Sequence, residues 1–191
     1  MPTAKETFES SIKDATQLLD HFKAVNTLPP PASAEVLKRA GLIMACTAWE
    51  TYVEDRVQEV VAWRLESNDS FQNQFIHRHL HNVLKQFHNP GSEKTIKLFM
   101  DFLGVDVSES WRWNNFTPER ARQDLDTLIK KRGEAVHRSK PPSIGADAPH
   151  LVTKDQLEKA IRLVVNLVET TDKATLPRPG EPAVRSIGSG V

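Results

Sequence analysis

Cysteine is almost missing from this chain: Cys46 is the single one among 191 residues. One thiol closes no disulfide within the chain and builds no cysteine-based zinc site, so a disulfide scaffold and a zinc finger are both excluded. The reducing cytoplasm is the expected compartment. Net charge is missing as well. Lysine plus arginine and aspartate plus glutamate each number 25, which leaves a formal charge of zero. A globally basic protein built to coat nucleic acid is thereby excluded; any affinity for RNA has to come from a local patch, or from two patches pooled in a dimer. No run of roughly 18 apolar residues is present to span a membrane, and the opening MPTAKETFESS has no apolar signal core. Glycine-rich phosphate loops, GxSxG elbows, EF-hand patterns and internal repeats are not found either. No cofactor is expected.

What is present reads as helix. Hydrophobic residues make up 39% of the chain and charged ones 26%, the balance of a folded domain rather than a disordered segment. Strand-like alternation is scarce, while capped stretches of helical period follow one another. Thr3 and Glu6 have capping-box spacing ahead of Phe8, Ile12, Ala15, Leu18, Leu19 and Phe22. Three prolines close that helix after about Val25. Ser33 is the expected cap of a second helix running to about Glu66. Its middle, Gly41 to Trp49, has no charge on any face, as in a helix packed on several sides.

A third helix is expected from Asp69 or Ser70 to Phe87, with Phe71, Phe75, Ile76, Leu80, Val83, Leu84 and Phe87 as its apolar set. It carries His77, His79, His81 and His88. Only His77 and His81 share a face at i, i+4, and no HExxH pattern or nearby carboxylate completes a site. These histidines read as a solvated face, and no metal is assigned.

Asn89-Pro90-Gly91 is a turn. Ser92 is the expected cap of a short helix from Glu93 to Leu103, which Gly104 ends. Trp111 and Trp113 then flank Arg112 in an irregular connection. Two tryptophans in a loop either stack RNA bases or cover a small core, and the second use is the commoner. The last helix opens on the Thr153/Gln156 capping box and runs to about Lys173, with Leu157, Ile161, Val164, Val165 and Val168 inward. One helical domain over residues 1–175 is expected, followed by a flexible tail, 176–191, rich in proline, glycine and serine.

Between these lies TPERARQDLDTLIKKRGEAVHRSK, Thr117 to Lys140. Thr117 is a good N-cap and Pro118 suits the first helical turn. Leu125, Leu128, Ile129 and Val136 form an apolar stripe, and its next position after Leu128 and Ile129 is Arg132. A charge there has to be paired, hydrated or lining a cleft. His137, whose ordinary pKa lies nearest neutrality, follows five residues on. Lys130, Lys131, Arg138 and Lys140 add a basic cluster, offset mainly by Glu134. Such a cluster attracts a phosphate backbone without reading sequence; it is also the usual positive end of a helix.

Arg132 and His137, written RGEAVH, resemble the RxxxxH signature of the HEPN superfamily of small all-helical domains, many of them metal-independent ribonucleases. Upstream, LIMACTAWETYVEDRV resembles the long second helix of the RiboL-PSP branch, where an aromatic–acid pair, here Trp49-Glu50, follows a small-residue apolar run. The resemblance spans roughly Ser33 to Thr170. It implies an all-α HEPN-like bundle with long central helices, paired by a two-fold axis as a homodimer. It further implies a composite site at the dimer interface that leaves 2′,3′-cyclic phosphate and 5′-hydroxyl ends. Arg132 and His137 would be catalytic, and Glu50 would orient Arg132. RNA, a second copy and a cognate antitoxin protein are the partners, in a toxin or defence effector. Two departures stand out. Gly133 occupies the position where such ribonucleases often have a polar residue, and Ser139 stands where the nucleotidyltransferase-regulated form has tyrosine. A non-catalytic helical dimer that binds RNA or a partner protein is the alternative.

Overall fold

The computed structural model describes residues 3–27, 31–65, 70–137 and 151–176. Six α-helices run in the order α1 (Ala4–Val25), α2 (Ala32–Arg64), α3 (Phe71–Leu84), α4 (Ser92–Leu103), α5 (Pro118–His137) and α6 (Lys154–Ala174), with a 3₁₀ turn at Val107–Ser110. The fold is all-α, with no strand among the described residues. No helix among them is long and apolar enough to cross a membrane.

α2 is the axis. Its 33 residues extend about 50 Å at 1.5 Å each, and α1, α4, α5 and α6 all pack on it. Leu42, Ala45, Cys46, Trp49, Tyr52, Val53 and Val57 are accordingly buried. A face that meets neighbours on every side tolerates no charge, which is why this segment reads apolar all round. Trp49 stacks with Tyr52 and takes Trp111 edge-on, both with centroids 6.1 Å apart. Trp111 is thus a core residue, its indole N–H donating to Thr171 Oγ1 at 2.9 Å.

The capping boxes at Thr3/Glu6 and Thr153/Gln156 both close. Thr117 Oγ1 accepts from the Arg120 N–H at the start of α5. Gly104, at φ 68°, ends α4 in the left-handed conformation that glycine adopts without cost. Four expectations shift. α2 opens at Pro31 rather than Ser33, because the carbonyl of Pro31 already accepts from the Ala34 N–H at 2.9 Å. Gly91, not Ser92, is the N-cap of α4, since the Ser92 side chain is taken up elsewhere. On α5 the buried stripe continues through Ala135, leaving Val136 40% exposed. On α3 only Leu80 is buried, and Phe71 and Phe75 are 81% and 59% exposed. Amphipathicity marks a face that can be covered; here Ile76, Val83 and Leu84 lean on the core, while among the described residues nothing buries Phe71 and Phe75. The expected tail beyond residue 176 lies outside the described residues.

Two charges are buried on α2. Lys38 pairs with Glu35 at 2.6 Å and lies over the Phe22 ring. Arg56 ties α2 to the end of α6. Its guanidinium donates to Thr175 Oγ1, to the Glu59 carboxylate (both 2.8 Å) and to the Asp172 carbonyl at 3.2 Å.

Candidate functional site

On α5 the inward positions are Ala121, Leu125, Leu128, Arg132 and Ala135. The four apolar members are at most 5% exposed, and Arg132 between them is half-buried. Its stripe faces α2 near Cys46 and Glu50. Burial pushes the Cys46 thiol up to about 12, with the Arg132 charge opposing and the Glu50 charge adding to the shift. One cation and one carboxylate therefore share the field around a buried thiol that stays protonated.

The loop from His88 to Ser92, between α3 and α4, completes the site. The Arg132 guanidinium donates from Nη1 to the side-chain carbonyl of Asn89. Asn89 sits at φ 53°, a left-handed conformation that asparagine tolerates better than most residues. That turn sends its amide side chain to α5 and its backbone N–H to Glu50 Oε2 on α2, at 3.3 Å. Next in the chain, the Pro90 carbonyl accepts from the Trp49 indole at 3.0 Å. Then Ser92 gives both its N–H and its hydroxyl to the Asp126 carboxylate of α5, each at 2.7 Å. Glycine at 91 leaves room for this contact: a Cβ there would lie 2.7 Å from Asp126 Oδ1 and push the carboxylate aside. Anchors at Asn89, Pro90 and Ser92 thus hold a short loop against α2 and α5, and the loop holds the arginine.

Glu50 is the residue expected to orient Arg132, and among the described residues no ion pair joins the two. It reaches the arginine through Asn89 instead, and its own second contact is His88 Nδ1 at 3.6 Å, an ion pair only when that exposed imidazole is protonated. Asn89 and Asp126 are the residues that sequence reading passed over. The Asn-Pro-Gly signal marked a turn, but nothing local marked partners about forty positions away.

His137 is the last residue of α5, five residues beyond Arg132; the placement of its side chain lies outside the described part of the structure, as do Arg138 and Lys140. Lys130 is exposed, and Lys131 lines a cleft toward α6. Among the described residues no three histidine, cysteine or acidic groups converge to hold a metal, and His77, His79, His81 and His88 are exposed.

Against known families, the RiboL-PSP-HEPN model matches residues 6–176. The chain belongs to the RiboL-PSP-HEPN family. Comparisons with curated proteins and with solved structures gave no match. The family match takes in all six helices except the first two residues of α1, and so the whole assembly that surrounds Arg132. Membership makes this a HEPN-type domain. The matched range includes Arg132 and His137, the pair whose spacing resembles the RxxxxH signature, and Glu50 on the long helix α2.

Proposed function

We propose that this HEPN domain is a metal-independent endoribonuclease, acting as a toxin or defence effector through a site composed by two protomers. The observation that carries the reading is Arg132: a cation on a buried stripe whose one hydrogen-bonding partner among the described residues is a neutral amide, leaving donors and charge for a phosphate. Arginine's rigid fork matches phosphate oxygens and stays charged at every relevant pH. Histidine is the side chain whose ordinary pKa lies nearest neutrality, and His137 is the one proposed to move a proton from the ribose 2′-hydroxyl or to the leaving 5′ oxygen.

Cleavage by transesterification needs one group to take the 2′ proton, one to steady the phosphorane and one to protonate the leaving oxygen. Residues five apart on a helix point roughly 140° apart at 100° per residue, so one copy of α5 converges poorly on one phosphate. A two-fold axis supplies the second pair. In that arrangement one His137 is the base, its symmetry mate the acid, and the two arginines hold the non-bridging oxygens. Glu50 acts at one remove, by fixing the loop that carries Asn89. The Lys130 and Lys131 ammonium groups, with Arg138 and Lys140, draw the backbone in.

The test is cleavage of tRNA and unstructured RNA in EDTA by the wild type beside His137→Ala, with end-group analysis. Loss of cleavage in the variant, with cyclic-phosphate ends in the wild type, is the expected result. A folded dimer that cleaves nothing across the panel would overturn it in favour of the second reading, a non-catalytic module binding RNA or a partner protein. One observation favours that second reading: Gly133 puts no side chain beside the arginine, and nothing packs within 4 Å of where its Cβ would be. An antitoxin protein and the cytoplasm remain the proposed partner and compartment.

A further inference from the structure

The next face of α5 borders a cleft of which the catalytic reading uses only Lys131. It lies between α5 and α6, encloses about 530 Å³ and is open to solvent. That volume falls within the range of small-ligand sites. Leu128 belongs both to the cleft lining and to the buried stripe that carries Arg132, so the two sites share a wall.

Three features of the cleft point to one occupant. The first is aromatic. The turn Trp113–Phe116 is closed by the Phe116 N–H donating to the Trp113 carbonyl at 2.7 Å, with Asn115 at φ 60°. It stacks the two rings 4.7 Å apart at 16°. Arg120 lies over Phe116 at 5.7 Å, and Asp124 holds it there, so that indole, phenyl and guanidinium form one continuous wall. Trp113 is half-buried, unlike the sealed Trp49 and Trp111.

The second feature is charge. Four cations line the cleft (Arg120, Lys131, Lys159 and Arg162) against a single carboxylate, Asp124. In a chain of zero net charge, this is a local excess. Asp124 occupies Arg120, and Asp155 occupies Lys159 at 2.7 Å. Among the described residues no ion pair holds Lys131 or Arg162. Third, Gln156 and Asn166 place amides in the lining: with its carbonyl accepting from the Thr153 N–H, Gln156 keeps its NH2 as a donor, and with its NH2 donating to the Arg162 carbonyl, Asn166 keeps its carbonyl as an acceptor, so a base edge can meet one group of each polarity.

An aromatic wall with unengaged cations beside it is the arrangement that binds single-stranded nucleic acid: bases stack on rings, and phosphates follow the charges. A purely apolar partner would leave Lys131 and Arg162 without compensation. We propose that the cleft between α5 and α6 is a subsite for single-stranded RNA, taking an unstacked base against the Trp113–Phe116 wall and its flanking phosphates on Lys131 and Arg162. The inference rests on the ribonuclease reading for its substrate. It adds to it that the RNA is bound unpaired beside the scissile phosphate, with Lys131 bridging the cleft to Arg132, its neighbour in the chain.

Binding is measured apart from cleavage with a mixed-sequence 2′-O-methyl RNA hexamer, which lacks the attacking hydroxyl. Titration is followed by anisotropy and by tryptophan emission. Trp113→Ala should weaken binding about tenfold or more, as loss of one base–aromatic stack does. Trp113→Phe should keep the affinity while losing most of the emission change. Lys131→Ala and Arg162→Ala should each lower the salt slope by roughly one. Arg162 is exposed and Lys131 half-buried, and neither belongs to the core, so their variants test the idea even if Trp113→Ala fails to fold. Unchanged affinity in all of them overturns the proposal. So does dissociation of a dimer by Arg162→Ala without change in RNA affinity, which would assign the cleft to a second copy. If the wild type cleaves RNA and the cleft variants retain its KM, the subsite falls and the ribonuclease reading stands. If nothing is cleaved but the hexamer binds through these residues, the reverse holds.

Discussion

Two arginines of this protein lie on apolar helix stripes, and their surroundings differ in kind. Arg56, 2% exposed, has its donors taken up by a hydroxyl, a carboxylate and a backbone carbonyl. It is flanked by a second carboxylate, Asp172 at 3.5 Å, and by the Trp63 ring at 5.0 Å. Arg132, half-buried, is held by one neutral amide. A guanidinium offers five N–H donors. The first uses all three of its nitrogens, two toward the end of α6 and one within α2, with two carboxylates to balance its charge. The second, among the described residues, uses one nitrogen, and that on a neutral group. Saturation, more than burial, separates a cation that builds the fold from one that is left to meet a ligand.

Removing each arginine should break the pair apart most clearly. Arg56→Ala strands the carboxylates of Glu59 and Asp172 near the core, and is expected to cost about 3 kcal/mol, the range seen when one partner of a buried pair is deleted. For a chain of this size that is roughly 10 °C in melting temperature. Arg132→Ala should leave the melting temperature within the equivalent of about 1 kcal/mol and abolish cleavage by at least about 100-fold. Calorimetry and cleavage assays on the same two preparations check this. The reverse pattern, with Arg132 carrying the stability, would end the distinction.

The next effect tests how Arg132 is held. Asn89→Gly keeps the left-handed turn and deletes only the amide, so stability should fall by about 1 kcal/mol while cleavage drops and its pH profile stays in place. Asn89→Ala adds strain at φ 53° and should unfold at a lower urea concentration than Asn89→Gly, by the equivalent of about 1–2 kcal/mol.

Gly133 sharpens the same contrast in the opposite direction. With open space at its Cβ, Gly133→Ala should stabilise α5 by about 1 kcal/mol, the helix-propensity difference, as a rise in melting temperature. Equal thermal stability would mean that this turn of α5 has a conformation alanine cannot adopt.

The smallest effect concerns the acidic side of α2. Burial, with Glu50 and Asp55 close by, raises the pKa of Glu54, and burial with Glu59 raises that of Asp55. A carboxylate whose folded pKa is raised binds more protons folded than unfolded, so its unfavourable contribution grows as pH rises through the folded pKa and is relieved below the unfolded one. Glu54→Gln should therefore raise the melting temperature slightly at pH 7, and the advantage should close as pH falls toward the ordinary glutamate range. A gain that persists at pH 3 would point to packing rather than charge.

Most of the architecture is legible in the sequence because its determinants are local. The Thr3/Glu6 and Thr153/Gln156 boxes, Gly104 and the uncharged run in α2 each act within a few residues of themselves. Arg132 was legible as a charge out of place on a stripe. Asn89 and Asp126 were not, because an asparagine in a turn and an aspartate on a helix look ordinary until the fold brings α2, α5 and the loop together. Phe71 and Phe75 misled for a related reason: periodicity shows that a helix has an apolar side, while what covers it depends on elements elsewhere. Trp113 was paired in reading with Trp111, yet the structure sends one to the cleft and the other to the core.

The loop that carries Asn89 has a consequence for when this protein becomes competent. Its anchors span 41 residues to Trp49, 39 to Glu50, 34 to Asp126 and 43 to Arg132. None is a contact that one helix can form alone, and non-local contacts of this kind are made only after their loop-closure entropy has been met. During synthesis from the N-terminus, α2 and the loop can meet while α5 is still absent; the arginine is seated only when α5 docks. A partly folded chain therefore carries every residue of the candidate site without its geometry. Any activity that depends on a seated Arg132 waits on the docking of α5 and is silent in every chain that stops short of it.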